Sequence, residues 1–247
     1  MALTATDAIV LQVFPYGDTS RIVRLLTRDA GVQSAIAKGA LRPRSRYAML
    51  EPFAQGNASL YIRTTRDLQT LGAFELTRAR QGLGRDLLRF GGASLVAELV
   101  LRTASEDPNP GIFDVVAAGL DRLLASDDSS LEVSVLAVVW HIIAELGFTP
   151  QLDTCTACGK DIADAAEASF DYAAGGLRCD GCAAGQPGRR IPARARTALA
   201  LFARGETTHV AVTEGHWRLL SRYLEHHLLD GSPLRSLQFL STSLSAG

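Results

Sequence analysis

At 247 residues, 47% apolar, 21% charged and with a formal net charge of −1, the chain can build one large domain or two to three small ones, and it is excluded from the wholly disordered class. No apolar run approaches the ~20 residues of a membrane-spanning helix, and Met1 to Val13 carries no basic leader before its apolar stretch, so the expectation is a cytoplasmic protein without a signal peptide. The neutral total conceals unequal parts: residues 1–80 hold 11 basic and 6 acidic side chains (+5), residues 81–170 hold 5 and 14 (−9), and residues 171–247 hold 9 and 6 (+3), so a basic N-terminal part suited to a polyanion precedes an acidic middle that is not.

The first 80 residues read as strands. Ala8 to Phe14 is short, apolar and rich in β-branched residues; Tyr16-Gly17-Asp18-Thr19 turns the chain into Ile22 to Thr27; Arg28-Asp29-Ala30-Gly31 turns it again into Val32 to Ala37. Phe53 to Ile62 and Leu68 to Leu76 follow, on either side of the polar link at 63–67. Five strands at this spacing predict a small barrel of about 80 residues, of the OB type or SH3-like; closure would remove the exposed edges. Beyond residue 85 the apolar period becomes helical, with Leu87, Leu88, Leu95, Val96, Leu99 and Val100. Asn109 is placed to cap a helix starting at Pro110, and Ser129 and Glu132 have capping-box spacing before a helix apolar almost all round, which Gly147 should stop. Two more helices are expected, at about 193–204 and 213–230, with a frayed tail after Leu240.

Cys155, Cys158, Cys179 and Cys182 form C-x2-C-x20-C-x2-C. Two residues between thiols let both sulfurs of a knuckle reach one ion, and two knuckles complete a tetrahedral thiolate shell, which suits one zinc per chain. Such a shell is coordinatively closed, so the zinc is structural. Gly159 and Gly181 stand where tight turns would help, and Gly175-Gly176 marks a hairpin across which Phe170 and Leu177 can pair.

A second cluster is basic. Lys38, Arg42, Arg44 and Arg46 fall within nine residues after the third strand, and Arg21 and Arg24 belong to the second strand. In a regular strand the odd spacing of the last two puts them on opposite faces, so both reach solvent only if Arg21 lies in the turn or the strand bulges. With Tyr16, Tyr47 and Tyr61 as stacking surfaces, these cations are the expected DNA contacts; the alternative is a solvated loop and strand end. Catalysis finds no support: neither Lys38 nor Lys160 sits in a phosphate-loop pattern, no Ser/His/Asp set stands out, and His141 lies in the most apolar helix.

The order of basic strands, acidic helical middle, four-cysteine insert and final helices resembles the RecO family of DNA repair proteins along nearly the whole chain. The resemblance is carried by Ala8-Ile9-Val10-Leu11, Tyr16 to Val23, Thr27 to Gly31, Ala37 to Ala40 and Leu50 to Phe53. Its most specific stretch is Glu145-Leu146-Gly147-Phe148-Thr149-Pro150, running into Leu152-Asp153 and the first cysteine knuckle, and Leu234 to Leu240 matches the C-terminal block. Asp18 stands where the family more often has Glu.

The resemblance implies an α+β fold: a five-stranded OB-type barrel over residues 1–80, then a helical domain over 81–247 with a zinc module inserted at about 152–185. It also implies a bacterial, nucleoid-associated mediator of the RecFOR pathway, without nucleotide hydrolysis. Such a mediator binds single- and double-stranded DNA, anneals complementary strands and, with RecR, helps load RecA onto DNA coated by single-stranded-DNA-binding protein (SSB). Family members bind the acidic, apolar C-terminal tail of SSB, which needs an apolar pocket rimmed by cations. Trp217, Arg218 and Arg222, in the +3 stretch 171–247, are the residues expected to supply it. Two other classes remain open from the residues alone: a protein adaptor with a structural zinc, which would show little or no DNA affinity at ~50 mM salt, and a zinc-ribbon nuclease, which would cleave DNA with magnesium.

Overall fold

The structure, a computed structural model, describes residues 2–63, 65–163, 167–184, 189–207 and 211–245. Contacts group the chain into two compact units, Met1–Ala125 and Ser126–Gly247.

The first unit opens with β1 (Ala2–Tyr16), β2 (Ser20–Thr27), β3 (Gly31–Ala37), β4 (Gln55–Ile62) and β5 (Leu68–Arg78). β1 is long enough to serve two neighbours. Its first part, Ala2 to Ile9, pairs with β4, and Ala8 to Tyr16 pairs with β2, with a register shift between Val10 and Gln12 that bends the strand from one partner to the other. β3 and β5 meet in parallel, Ser34 opposite Leu68 and Ile36 opposite Thr70, which closes the barrel in the order β1-β2-β3-β5-β4. This five-stranded closed arrangement is the OB-type barrel and settles the choice against an SH3-like one. β4 starts at Gln55 and not at Phe53, because Phe53 holds a left-handed φ of 70° while its N–H donates to the Val10 carbonyl at 2.7 Å.

The barrel interior is built from Val10, Val23, Leu25, Leu60 and Leu71, with the alanines 8, 35, 37 and 58 between them. Small side chains on that many strands leave room, and Tyr47, from the β3–β4 connection, fills it. The ring is buried and its hydroxyl donates to the Leu71 carbonyl at 2.7 Å and lies 3.1 Å from that of Gly72. Tyr47 is therefore a core plug and not the stacking surface expected of it, since a buried Tyr needs an internal acceptor and finds two.

A 3-10 turn (Gln81–Gly84), α1 (Leu87–Thr103) and α2 (Pro110–Ala125) complete this unit. Asp86 caps α1 by accepting the Arg89 N–H at 2.7 Å, and Asn109 caps α2 by accepting that of Ile112 at 3.1 Å, as its position before Pro110 indicates. The barrel and α2 are joined by Arg80. Its side chain has no exposed surface, and its guanidinium donates to Asp121 Oδ1 (2.7 Å), the Phe53 carbonyl (3.0 Å), Gln55 Oε1 (2.8 Å) and the Ala117 carbonyl (3.2 Å).

The second unit is arranged around α3 (Asp128–Glu145), whose buried positions run from Leu131 to Ile143 on nearly all sides. Its N-cap is Asp127, one residue before the helix, so the Ser129/Glu132 capping box does not form; Asp128 occupies the first turn, where the helix dipole favours an acid. Gly147 does stop the helix: its N–H bonds to the Ala144 carbonyl at 2.9 Å and that of Phe148 to Ile143 at 3.0 Å, the paired bonds of a Schellman end. The chain then forms β6 (Ala168–Asp171), β7 (Gly176–Arg178), the single helical turn α4 (Asp180–Ala183) and β8 (Arg189–Ile191), followed by α5 (Ala193–Ala203), α6 (Glu214–His227) and α7 (Arg235–Ser245). α7 stands where a frayed tail was expected. The serines between its leucines hide the helical period in the sequence, while Leu237 and Leu240, and Leu234 just before the helix, are buried.

Asp121 is the counter-charge of a fully buried cation. Asp121→Ala should destabilise the first unit by about 3 kcal/mol, the order found when a buried pair loses one partner. Urea denaturation followed by a barrel signal would measure it, and a change within about 0.5 kcal/mol, typical of a neutral surface substitution, would contradict this role for Arg80.

Candidate metal centre and nucleic-acid interface

The two cysteine knuckles are built differently. In the first, Cys155 N–H donates to the Lys160 carbonyl at 2.8 Å and Gly159 N–H to that of Cys155 at 2.9 Å, a reversal that uses the positive φ of Gly159 (72°). In the second, Cys179 precedes α4, and the N–H groups of Cys182 and Ala183 turn back to its carbonyl at 3.0 and 2.9 Å. Gly181 sits inside that helical turn, so it is not the tight-turn glycine its position suggested. The β6–β7 hairpin brings the knuckles together, with Phe170 opposite Leu177 as expected. It is sewn to the first knuckle by Thr156 N–H to the Leu177 carbonyl (2.8 Å) and Leu177 N–H to the Gln151 carbonyl (2.9 Å). Gly176 permits this approach, since a Cβ there would lie 2.5 Å from the Gln151 carbonyl oxygen.

All four cysteines are free thiols, and their sulfurs lie within 4.8 Å of one another. Cys158 and Cys179 are 3.8 Å apart, which is the edge of a tetrahedron with metal–sulfur bonds of ~2.3 Å. The donor set and spacing thus fit a tetrahedral thiophilic ion. The thiols do not ionise alike. The Cys179 N–H, 3.4 Å from Cys155 Sγ, pulls Cys155 down to about 6, whereas the hydrogen bonds Cys182 shares with Cys158 and Cys179 push it up to about 12. A bound dication favours the thiolate at all four and draws off the remaining protons. The module is also braced from outside its cysteines. Arg190 of β8 bridges Glu167 (3.1 Å) and Asp180 (2.9 Å), and His227 Nε2 meets the Tyr172 carbonyl in the hairpin turn at 2.7 Å. Sequence spacing gave no signal for either brace.

On the barrel, Lys38, Arg42, Arg44 and Arg46 are all exposed in the β3–β4 connection. The connection is tied down by the Leu41 N–H to the Thr19 carbonyl of the β1–β2 turn (2.9 Å), and the Arg46 guanidinium lies over the Tyr47 ring at 4.9 Å. β2 runs in regular register with β3 from Arg21 to Thr27, and the bulge is in β1 instead. Arg21 and Arg24 therefore take opposite faces. Arg21 shares the inward parity of Val23 and Leu25 at the end of the barrel, where its guanidinium reaches the Leu50 carbonyl at 3.5 Å; Arg24 shares the outer face with Ile22 and Leu26. Other basic residues of the +5 stretch are neutralised within the unit: Arg28 pairs with Asp114, and Arg78 and Arg80 both pair with Asp121. Tyr16 and Tyr61 are exposed, and so is Phe14, two residues before Tyr16 on the same face of β1, an aromatic the alternation could have flagged.

In the second unit Trp217 is buried in the core, Arg218 lies 3.4 Å from Glu214 one turn back, and the Arg222 guanidinium stands over Tyr172 at 5.6 Å. None of the three lines the cavity of about 330 Å³ that the same unit holds, which has Trp140, Leu199, Phe202 and Leu219 as apolar walls and Arg190 and Arg194 among its lining. His216, also in the lining, caps α6 by accepting the Thr213 N–H at Nδ1 (3.1 Å), and burial lowers its pKa. Among the described residues no helix is long and apolar enough to cross a membrane.

Comparison with known proteins covers both units. The family descriptions "Recombination protein O N terminal" and "Recombination protein O C terminal" match residues 1–80 and 84–238. A DNA repair protein RecO of Anaeromyxobacter dehalogenans (strain 2CP-C) is 32% identical over 243 residues, 94% of this chain and 93% of the relative. The DNA repair protein RecO of Bacillus subtilis (strain 168) is 33% identical over 203 residues, 81% and 76% of the two chains. That of Rubrobacter xylanophilus (strain DSM 9941 / JCM 11954 / NBRC 16129 / PRD-1) is 31% identical over 244 residues, 94% of each. With an OB-type barrel, a four-thiol cluster and family matches over nearly its whole length, this chain belongs to the RecO family of DNA repair and recombination proteins.

Proposed function

We propose that the chain is a recombination mediator that holds DNA on its barrel, anneals complementary strands and, with RecR, helps load RecA onto SSB-coated single strands. The observation that carries the reading is the exposed run Lys38, Arg42, Arg44 and Arg46, fixed to the barrel end by Tyr47 and by the Leu41–Thr19 bond beside exposed aromatics. A cationic track with flat apolar surfaces is how OB-type barrels hold single strands, phosphates giving affinity and bases stacking. Arg21 and Arg24 complete the proposed contacts from two faces of β2. The activity needs no bond-breaking group, and the chain acts as a scaffold for nucleic acid and protein, not as an enzyme.

Zinc is the proposed ion, one per chain, held by Cys155, Cys158, Cys179 and Cys182, with a purely structural task. The SSB tail is proposed to enter the apolar cavity of the second unit, where Arg194 supplies the positive charge that an acidic peptide requires and Phe202 and Leu219 the apolar seat. Arg218 and Arg222, which face Glu214 and Tyr172, take a lesser part. Titration of a tail peptide should show Arg194→Ala weakening binding more than Arg218→Ala; the reverse order would return the site to Arg218.

Strand annealing with purified protein, with and without RecR and SSB, tests the whole reading. Annealing should be accelerated, and protein that leaves the rate unchanged would argue for a pure adaptor. Replacing Lys38, Arg42 and Arg46 together should weaken binding alike across sequences and lower the slope of log K against log salt by about 0.7 for each lost single-strand phosphate contact. An unchanged slope in a folded variant would remove the loop from the interface. Metal analysis of protein purified without chelator should find one zinc per chain, and Cys158→Ser should lower the stability of the second unit, because metal binding is coupled to local folding. Stoichiometric protein with no metal would refute the assignment.

A further inference from the structure

The end of the barrel that carries the cation loop also carries a cleft that electrostatics alone leaves unexplained. Its volume is about 330 Å³, within the ~300–1,000 Å³ of small-ligand pockets. Phe14 and Leu41 form apolar walls from β1 and from the loop, Pro52 closes a third side, and Arg21 and Glu51 also line it. The walls are not core. Phe14 is 37% and Leu41 40% exposed, although both are large apolar side chains. Lys38 and Arg42, both exposed, flank Leu41 in sequence.

We infer that this cleft receives one unstacked base of a single DNA strand, seated between Phe14 and Leu41 while Lys38 and Arg42 hold the flanking phosphates. The inference rests on the DNA-binding reading of the barrel and adds to it a means of telling single strands from duplex. Charge complementarity selects the occupant: an apolar slot lined by Arg21, with the exposed cations Lys38 and Arg42 close in sequence to its wall Leu41, fits a polyanion that carries flat apolar groups, and a nucleic acid strand has that composition. Phe14 and Leu41 offer surfaces for a π-face, as any base presents. The Arg21 guanidinium supplies donors and the Glu51 carboxylate acceptors for the edge of the ring. In a duplex each base is stacked and paired, so entry requires extrusion at a cost of a few kcal/mol, a barrier that a single strand does not meet. The slot is thus filled by single strands and left empty by duplex, while the phosphate contacts serve both.

Fluorescence anisotropy at one ionic strength decides it, with three probes of about 12 nucleotides, within the site size of one OB barrel: an oligothymidylate, the same strand without bases, and a duplex. Phe14→Ala removes a wall; Ala48→Trp fills the cleft from its exposed rim without touching the core. Each should weaken oligothymidylate binding about fivefold or more, the range of one lost base stack, and leave the abasic strand and the duplex unchanged; Phe14→Tyr, which keeps the ring, should bind as the wild type does. Equal weakening on all three probes, or no weakening on the oligothymidylate, overturns the inference while the DNA-binding reading stands. Wild-type protein that binds none of the three removes that reading as well, and shows this before any variant is compared.

Discussion

The four loop cations assigned to nucleic acid lie on the 17-residue connection between β3 (ending at Ala37) and β4 (starting at Gln55), and a buried tyrosine fastens its middle. Tyr47 enters the barrel and satisfies its hydroxyl on the carbonyls of Leu71 and Gly72 in β5. A loop of that length without secondary structure of its own has a large ordering cost. Burying a full aromatic ring with its polar tip satisfied offsets that cost at the middle of the loop, where the chain has least help from its ends. The alanines at 8, 35, 37 and 58 are the other half of the arrangement, since larger residues there would exclude the ring. Core composition and the placement of the cations are therefore one constraint: the barrel is underfilled by its own strands so that the loop can be fastened inside it.

This constraint also explains which parts were readable from sequence. Strands, turns and the Phe170–Leu177 pairing depend on neighbours a few residues away, and local pattern captures them. The cysteine cluster is legible because two C-x2-C pairs carry the spacing of a four-thiol site in the sequence itself. Tyr47 was misjudged because nothing local tells a tyrosine in a basic loop whether it faces water or a cavity made by alanines on three other strands. Arg80 is no more legible: its four acceptors come from residues 53, 55, 117 and 121, and only the folded chain assembles them. α7 escaped notice because its apolar positions are three residues apart amid serines, a pattern weak in sequence yet sufficient when the face has something to cover.

The charge map is sharper than its totals. Arg28, Arg78 and Arg80 are taken up by Asp114 and Asp121, so these three add little to the positive field of the first unit, while the four loop cations stay exposed. Concentrated charge steers an approaching strand more effectively than the same charge spread thinly, because the potential adds within a Debye length of about 8–10 Å. The acidic residues on α2 thus help to aim the field, by cancelling basic residues elsewhere on the barrel.

The four-cysteine module lies, in sequence, between α3 and α5, yet those two helices pack directly against each other. The module is an excursion from a helical core that closes without it. In the language of cooperative folding units, it is a side branch, and the helices it interrupts form the trunk. A lineage that loses the cysteines can keep the trunk if Gln151, Tyr172 and His227 preserve the backbone and ring contacts around the hairpin. The metal would then set how firmly one branch is closed and leave the architecture of the helical unit as it is.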